Sequence, residues 1–306
     1  MPSIHHRNSI RGRPLYLGRA CVLLLTLMAA AASMAAKIDL GELRDDTAPE
    51  QSEEIDWPER EFPDPKRAAG GFNAGERFEF RGQWGILRRA ARITISTESS
   101  DSDDPTLLLV KTDARTLGFA NVLFPMLLQG QSLLEPKKGR ILNNRVSETS
   151  RSRETDVETT FDYETGLMSL VDKTRPDRNG TKAFPYPVPL DYASAFLQIR
   201  GWDLSENSRH SFLISSKGKF YLIEMKTMGL ETLSTKYGKI EAFRIEPISA
   251  LPQSKLFREG GKMAIWISAD ERRLPLRIDF KISLGTASMR LEDFTLSNET
   301  LVAHSR

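Results

Sequence analysis

Cysteine is all but missing from this chain. The single one, Cys21, lies within the apolar stretch "ACVLLLTLMAAAA" at residues 20–32. Everything downstream therefore has no disulfide, no thiolate nucleophile and no thiolate metal ligand. Histidine is nearly as scarce. His5 and His6 precede the apolar stretch and only His210 and His304 come after it, too few for a histidine-built metal site. No later run reaches the roughly 20 apolar residues that a membrane-spanning helix needs, and no internal repeat is present. Charge is also lopsided in two places. Residues 1–19 carry Arg7, Arg11, Arg13 and Arg19 and no acid, whereas residues 36–70 carry eleven acids, from Asp39 to Asp64.

A basic opening, a short apolar run and the small residues Ser33 and Ala35 of "SMAAK" make residues 1–35 a secretory signal peptide, expected to be cut after Ala35. Retention of that segment as an anchor is the one route to membrane association. Cys21 opens the apolar run and comes after Arg19-Ala20, whereas a lipid-modified cysteine would close it. Cleavage removes four arginines and no acid, taking the formal charge from +2 to −2. A near-neutral exported protein, periplasmic or otherwise secreted, is not a nucleic-acid binder. Residues 36–71, acidic and proline-containing with no apolar period, read as a disordered linker, with Trp57 and Phe62 docking loosely on the folded domain. A single β domain is expected over 72–297, with a short tail at 298–306.

From Gly75 the apolar residues recur with period two. "ERFEFRGQWG" puts Phe78, Phe80 and, past a kink at Gly82, Trp84 on one face. "ARITIST", "KFYLIEM", "KIEAFRIEPI", "MAIWIS", "PLRIDFKI" and "ASMRLEDFTL" alternate in the same way. Lys217-Gly218, Tyr237-Gly238, Gly260-Gly261 and Leu284-Gly285 punctuate them as turns. The pattern predicts a mainly β fold, a large curved antiparallel sheet, half-barrel to barrel-like, with one or two short helices packed against it. One helix is predicted in "PLDYASAFLQIRGW", where Tyr192, Ala195, Phe196 and Ile199 form a stripe. Asp191 is its N-cap, Arg200 a cation at its C-terminal end and Gly201 its stop. A second short helix interrupted by Pro125 is predicted within 117–134. Residues 143–160, polar and threonine-rich, fit either wet edge strands or a loop.

Four segments in the same order resemble the DUF3108 family of secreted bacterial proteins: "AGERFEFRGQWGILRRAARITI" at 74–95, "DYASAFLQIRGWDL" at 191–204, "MGLETLSTKYGKIEAFRIEP" at 228–247 and "GGKMAIWISADERRLPLRIDFKISLGTASMRLEDF" at 260–294. The resemblance implies a periplasmic, mostly β domain. It brings no catalytic residues, and residues 100–185 match it poorly. By analogy of architecture such a domain is similar to the lipoprotein carriers of the LolA and LolB type, in which a curved sheet and a helix enclose an apolar hollow.

The charged cluster "SADERRLP" lies between two alternating strands and reads as a hairpin turn, with Asp270 bonding nearby amides, Pro275 opening the next strand and Trp266 in the core behind. Adjacent Asp270 and Glu271 point apart on a strand, unlike the facing carboxyls of a glycosidase. His210 lies in a polar turn, exposed and idle. "SSDSDDP" at 99–105 lacks the glycine and glutamate of a calcium loop. Arg88, Arg89, Arg92, Lys137, Lys138 and Arg140 offer basic patches for anionic lipid or glycan, against a solvated sheet face as the plain alternative. Trp84, Phe196, Tyr221 and Trp266 are the candidate lining of a ligand cavity, or else core. No catalytic residue, metal or cofactor is expected. Three functions are compatible with these features: a non-enzymatic envelope protein holding an apolar or amphipathic lipid or glycan in the hollow of the sheet; a structural or protein-binding domain with a filled core; and a carboxylate-dependent enzyme on cell-wall glycans.

Overall fold

The computed structural model describes residues 55–100, 104–151, 153–252, 263–282 and 285–297. The signal peptide, most of the acidic segment, the C-terminal tail, the turn at Gly260-Gly261, Leu284 and part of "SSDSDDP" fall outside them.

Among the described residues, strand-forming alternation produces fifteen strands in one sheet. The first eight are β1 (Arg77–Trp84), β2 (Leu87–Ser99), β3 (Leu108–Thr116), β4 (Met126–Glu135), β5 (Arg140–Ser150), β6 (Arg153–Asp162), β7 (Leu167–Asp172) and β8 (Gly180–Ala183). The rest are β9 (Pro189–Leu190), β10 (Arg209–Ser216), β11 (Lys219–Thr235), β12 (Gly238–Leu251), β13 (Met263–Ser268), β14 (Pro275–Ile282) and β15 (Gly285–Thr295). Their order is β8-β7-β6-β5-β4-β3-β2-β1-β15-β14-β13-β12-β11-β10-β9. The chain thus starts in the middle of the sheet, meanders out to one edge, crosses to the other and meanders back until β15 zips against β1. Every pairing is antiparallel except β9 with β10.

The predicted mainly β architecture is what forms. No ladder joins β8 to β9 among the described residues, but the sheet curls until its two halves touch. Lys217, at the β10–β11 turn, donates to Glu148 of β5 at 2.6 Å, and Arg178 reaches the Lys217 carbonyl at 3.2 Å. That turn needs two left-handed residues, Lys217 at φ 48 and Gly218 at φ 82, which suits a tight hairpin. The kink at Gly82 is also present. A Cβ there would lie 2.6 Å from that of Ala91, and the β1–β2 register shifts just beyond it.

Among the described residues three short α-helices accompany the sheet: α1 (Pro65–Ala69), α2 (Gly118–Leu123) and α3 (Tyr192–Gln198). Asp191 caps α3, accepting from the amides of Ala193 and Ser194 at 2.7 and 3.0 Å and from the Ser194 hydroxyl at 2.7 Å. The helix is not merely laid across the sheet by one stripe. Every residue from Ala193 to Gln198 is buried, so it plugs the hollow. Leu197, Ile199, Phe78, Phe80, Ile93 and Ile95 are among the residues most completely removed from water around it, each worth roughly 1.5–3 kcal/mol.

One expectation needs correction, at 143–160, and two others gain detail. The stretch 117–134 is only half helical: α2 ends before Pro125, whose missing N–H and fixed φ forbid continuation, and Met126 begins a strand. Residues 143–160 are neither edge nor loop, because β5 and β6 have partners on both sides. Most of their inward positions are polar (Asn144, Glu148, Thr155 and Thr159 are buried, with Val157 the apolar one between the last two), which is why the apolar period fails there. The stretch expected as linker holds a short helix at its end, and Trp57 and Phe62 dock on the domain as expected. Asp64 caps α1, Ala68 is buried, and Trp57 and Phe62 pack edge-on against Tyr186.

Candidate functional site

The structure does not gather the four candidate aromatic residues around one cavity. Phe196, on α3, packs edge-on against Phe80 with ring centres 5.8 Å apart. Tyr221 is buried on β11. Trp84 is half-buried next to the β1–β2 turn. Trp266 is itself buried, on the opposite face of the sheet from Ile265 and Ile267. It lies under Arg244 and Arg277, with Nε1 donating to Glu231 at 2.8 Å.

An interior cavity lies elsewhere, between α3 and the polar stretch of β3–β5, and its volume is about 30 Å³. Thr112, Ser132, Asn144, Asp191, Ser215 and Ser216 are in its wall. That space suits one or two waters and is far smaller than the 300–1,000 Å³ of ordinary ligand pockets. Nearby, Asn144 donates to the Ser132 hydroxyl at 2.8 Å, and the buried Glu148 carboxylate is matched by Lys217.

The second polar feature of the interior is a buried ion pair. Arg200 does not finish α3 as an exposed cation. It turns inward and clamps both oxygens of Glu76, at 2.5 and 2.9 Å, and both side chains are almost fully buried. The same guanidinium donates to the carbonyls of Gly71 (3.1 Å) and Arg273 (3.0 Å) and stacks on Phe78. It thereby ties the start of β1, the end of α3 and the turn before β14 together.

The outer face carries an unforeseen pattern. Cross-strand register sets Arg244, Trp266, Arg277, Arg290, Arg81, Arg92 and Arg115 side by side, one per strand from β12 through β15 and β1 to β3. Like charges directly opposite one another are unfavourable, and carboxylates offset most of them. Arg244 pairs with Glu231 and Glu246, Arg277 with Asp279, Arg81 with Glu292 and Arg92 with Glu79. Arg290 has no such partner among the described residues. Burial and its neighbours Arg277 and Arg81 hold its guanidinium below the ordinary value. Beside this row, over β1–β4, lies an open groove of about 790 Å³. Its charged residues include Arg77, Glu79, Arg92, Glu98, Lys111, Asp113 and Arg115, and no aromatic ring lines it.

"SADERRLP" is a turn. The Arg273 amide donates to the Asp270 carbonyl at 3.1 Å, Arg272 forks onto Asp270 and the Ser268 hydroxyl donates to Asp270 at 2.8 Å. His210 rests against Trp202, its Nε2 2.7 Å from the Asp203 carbonyl. Among the described residues no group of three His, Cys, Asp or Glu side chains is placed to hold a metal ion, and no helix is long and apolar enough to cross a membrane.

Several carboxyls are held below their ordinary range. At Asp156 the Arg145 fork does this. At Glu135, Glu231 and Asp270, burial opposes the charge. Hydrogen bonds from Lys138 and Arg140, from Arg244 and Trp266, and from Arg272 and Ser268 respectively outweigh it. A carboxyl depressed in the folded state contributes stability that is complete above its unfolded value and lost as pH falls through the folded one. The thermal midpoint is therefore expected to stay level from neutral pH to about 5 and to fall progressively below about 4. Circular dichroism melts across that range check this; a midpoint that holds or rises on acidification would refute it.

No curated protein matches the chain. Among solved structures, a β-barrel-like protein of the DUF1849 family from Brucella abortus is 7% identical. It aligns over 73% of this chain and 98% of its own, with a TM-score of 0.46. A Bacteroides fragilis protein, described as exported and with a YmcC-like fold, is 10% identical over 77% of this chain and 98% of its own, with a TM-score of 0.28. At those scores neither likeness bears on function. The family resemblance seen in the sequence is stronger: the model of DUF3108, described as a protein of unknown function, matches residues 79–292. That span is more than half of the chain, and the protein belongs to the DUF3108 family.

Proposed function

We propose that this is a non-catalytic domain of the cell envelope that works through the outer face of its sheet by binding another protein, not through cargo held inside. The observation that carries this reading is a contrast in space. The cavity between α3 and β3–β5 measures about 30 Å³, whereas the outer groove over β1–β4 measures about 790 Å³. An acyl chain does not fit the first. The second lacks the aromatic platforms on which sugars stack, and its mixed charges suit the polar rim of a protein interface. Export rests on the basic, apolar and small-residue pattern of residues 1–35. The carboxylates in the groove do not resemble a hydrolytic pair. Glu79 is held by Arg77 and Arg92, Glu98 by Lys111, and Asp113 accepts from Gln129.

Native mass spectrometry of protein purified gently from a periplasmic extract is expected to give the bare polypeptide mass. A photo-crosslinker at Thr94, in the groove, is expected to capture one defined protein neighbour, and Arg92→Glu with Lys111→Glu is expected to abolish that capture. A lipid or glycan that stays bound in the native spectrum and leaves on denaturation would overturn the reading in favour of a carrier.

A further inference from the structure

We propose that one end of the sheet is a docking tip for a bilayer surface rich in anionic phospholipid. Three connections build it. The β1–β2 turn leaves Ile86 95% exposed, α2 presents Phe119 and Val122 at 62% and 66%, and Leu127 at the start of β4 is 46% exposed. They are neighbours in space. The Leu117 amide donates to the Ala90 carbonyl at 2.9 Å, which sets α2 beside the start of β2. Arg151, on the β5–β6 turn, donates to the Val122 carbonyl at 2.7 Å. The helix has no core-facing stripe that would account for its apolar residues, since Ala120 is its only buried side chain. Gly118, at φ 51, turns the chain out of β3, and Pro125 ends the excursion.

The charge around these residues is of one sign. Arg88, Arg89, Arg115 and Arg151 are all exposed, and none has an ion-pair partner among the described residues. Most other arginines of the outer-face row are neutralised by carboxylates. Residues 85–91, 115–127 and 149–153 contain no acid at all. Scattered exposed apolar residues are ordinary, but a cluster marks an interaction surface. Large apolar side chains ringed by unpaired guanidiniums fit the boundary between headgroups and acyl chains, where the first are buried and the second meet phosphates. Arg115 and Leu127 also line the β1–β4 groove, but Ile86, Arg88, Arg89, Phe119 and Val122 do not, and variants at those five let the two readings fail separately.

The test is co-sedimentation of the purified chain with vesicles of phosphatidylcholine alone or mixed with phosphatidylglycerol. Binding is expected only to the mixed vesicles. Arg88→Glu with Arg89→Glu is expected to weaken it by at least roughly twenty-five-fold, about five-fold per guanidinium lost. Phe119→Ser with Val122→Ser should remove the part that survives high salt. The same charge change at Lys236 and Lys239, on the distant β11–β12 turn, should leave binding intact. Ile86→Trp gives a readout that does not depend on the other variants folding: its fluorescence should be quenched by brominated phosphatidylglycerol in the bilayer. Three results would overturn the proposal: no binding to mixed vesicles, equal loss from the lysine variants, or a tip that loses a protein partner on mutation but never touches lipid.

Discussion

Replacing Arg200 with methionine will cost this domain about 3–5 kcal/mol, because it strands the buried Glu76 carboxylate without a cation. The loss is a large share of the ~5–15 kcal/mol that separates a typical domain from its unfolded state. The geometry explains why so much is at stake. Arg200 satisfies both oxygens of Glu76 and the carbonyls of Gly71 and Arg273. A methionine of similar length fills the space over Phe78 but replaces none of those donors. The cost therefore comes from desolvated acceptors, not from a cavity. The interaction is separable by a double-mutant cycle. Glu76→Gln beside Arg200→Met removes the stranded charge and is expected to recover part of the loss, whereas additive losses would show that the two side chains do not act as a pair. Urea denaturation of the four proteins, monitored by circular dichroism, supplies the numbers.

Arg200 also shows where sequence reasoning stops. A cation in the last turn of a helix is ordinarily a solvated partner of the helix dipole, and nothing local distinguishes one that turns inward. Its partner Glu76 is 124 positions away, and only the folded chain brings that region under α3. Where one face of a strand is apolar, period two was readable, and β2, β14 and β15 are where the alternation puts them. The Asp191 cap and the hairpin at Asp270 rest on neighbours within three residues, so they were readable too. The same logic failed at β5 and β6, whose buried positions hold Asn144, Glu148 and threonines. A polar interior carries no hydrophobic period. Trp266 was legible in principle. It is buried, as its size suggested, but it alternates with Ile265 and Ile267 and so packs on the opposite face from them, under Arg244 and Arg277. The arginine row could not be seen in one dimension, because its members come from strands whose register only the fold supplies.

Gly201→Ala will release α1 from the body of the domain. A Cβ at Gly201 would lie 2.2 Å from the Arg67 carbonyl, 2.8 Å from the Gly71 amide and 2.9 Å from the Ala68 carbonyl. All three are backbone atoms, so no rotamer change relieves the overlap. The partner surface is as tight, since a Cβ at Gly71 would meet the Leu197 carbonyl at 2.4 Å. Ordinary overpacking costs about 1–3 kcal/mol, and a clash against backbone on every side belongs at the upper end. The cheapest escape is for residues 64–71 to lift away, which also withdraws the Gly71 carbonyl from Arg200. Lys66 and Arg67 then become a trypsin site in extended chain, where in the parent they sit in a docked helix. The variant is expected to be cut there early, with the rest of the domain still folded, and to lose part of its denaturation midpoint. Gly180→Ala is the control, because nothing lies within 4 Å of a Cβ at that position, and it should behave as the parent does. If Gly201→Ala resists trypsin and urea as well as Gly180→Ala, the close approach of α1 to the end of α3 is not a feature of the protein in solution. In that case the ordered domain begins at β1, and Arg200 has Glu76 and Arg273 but not Gly71 to hold.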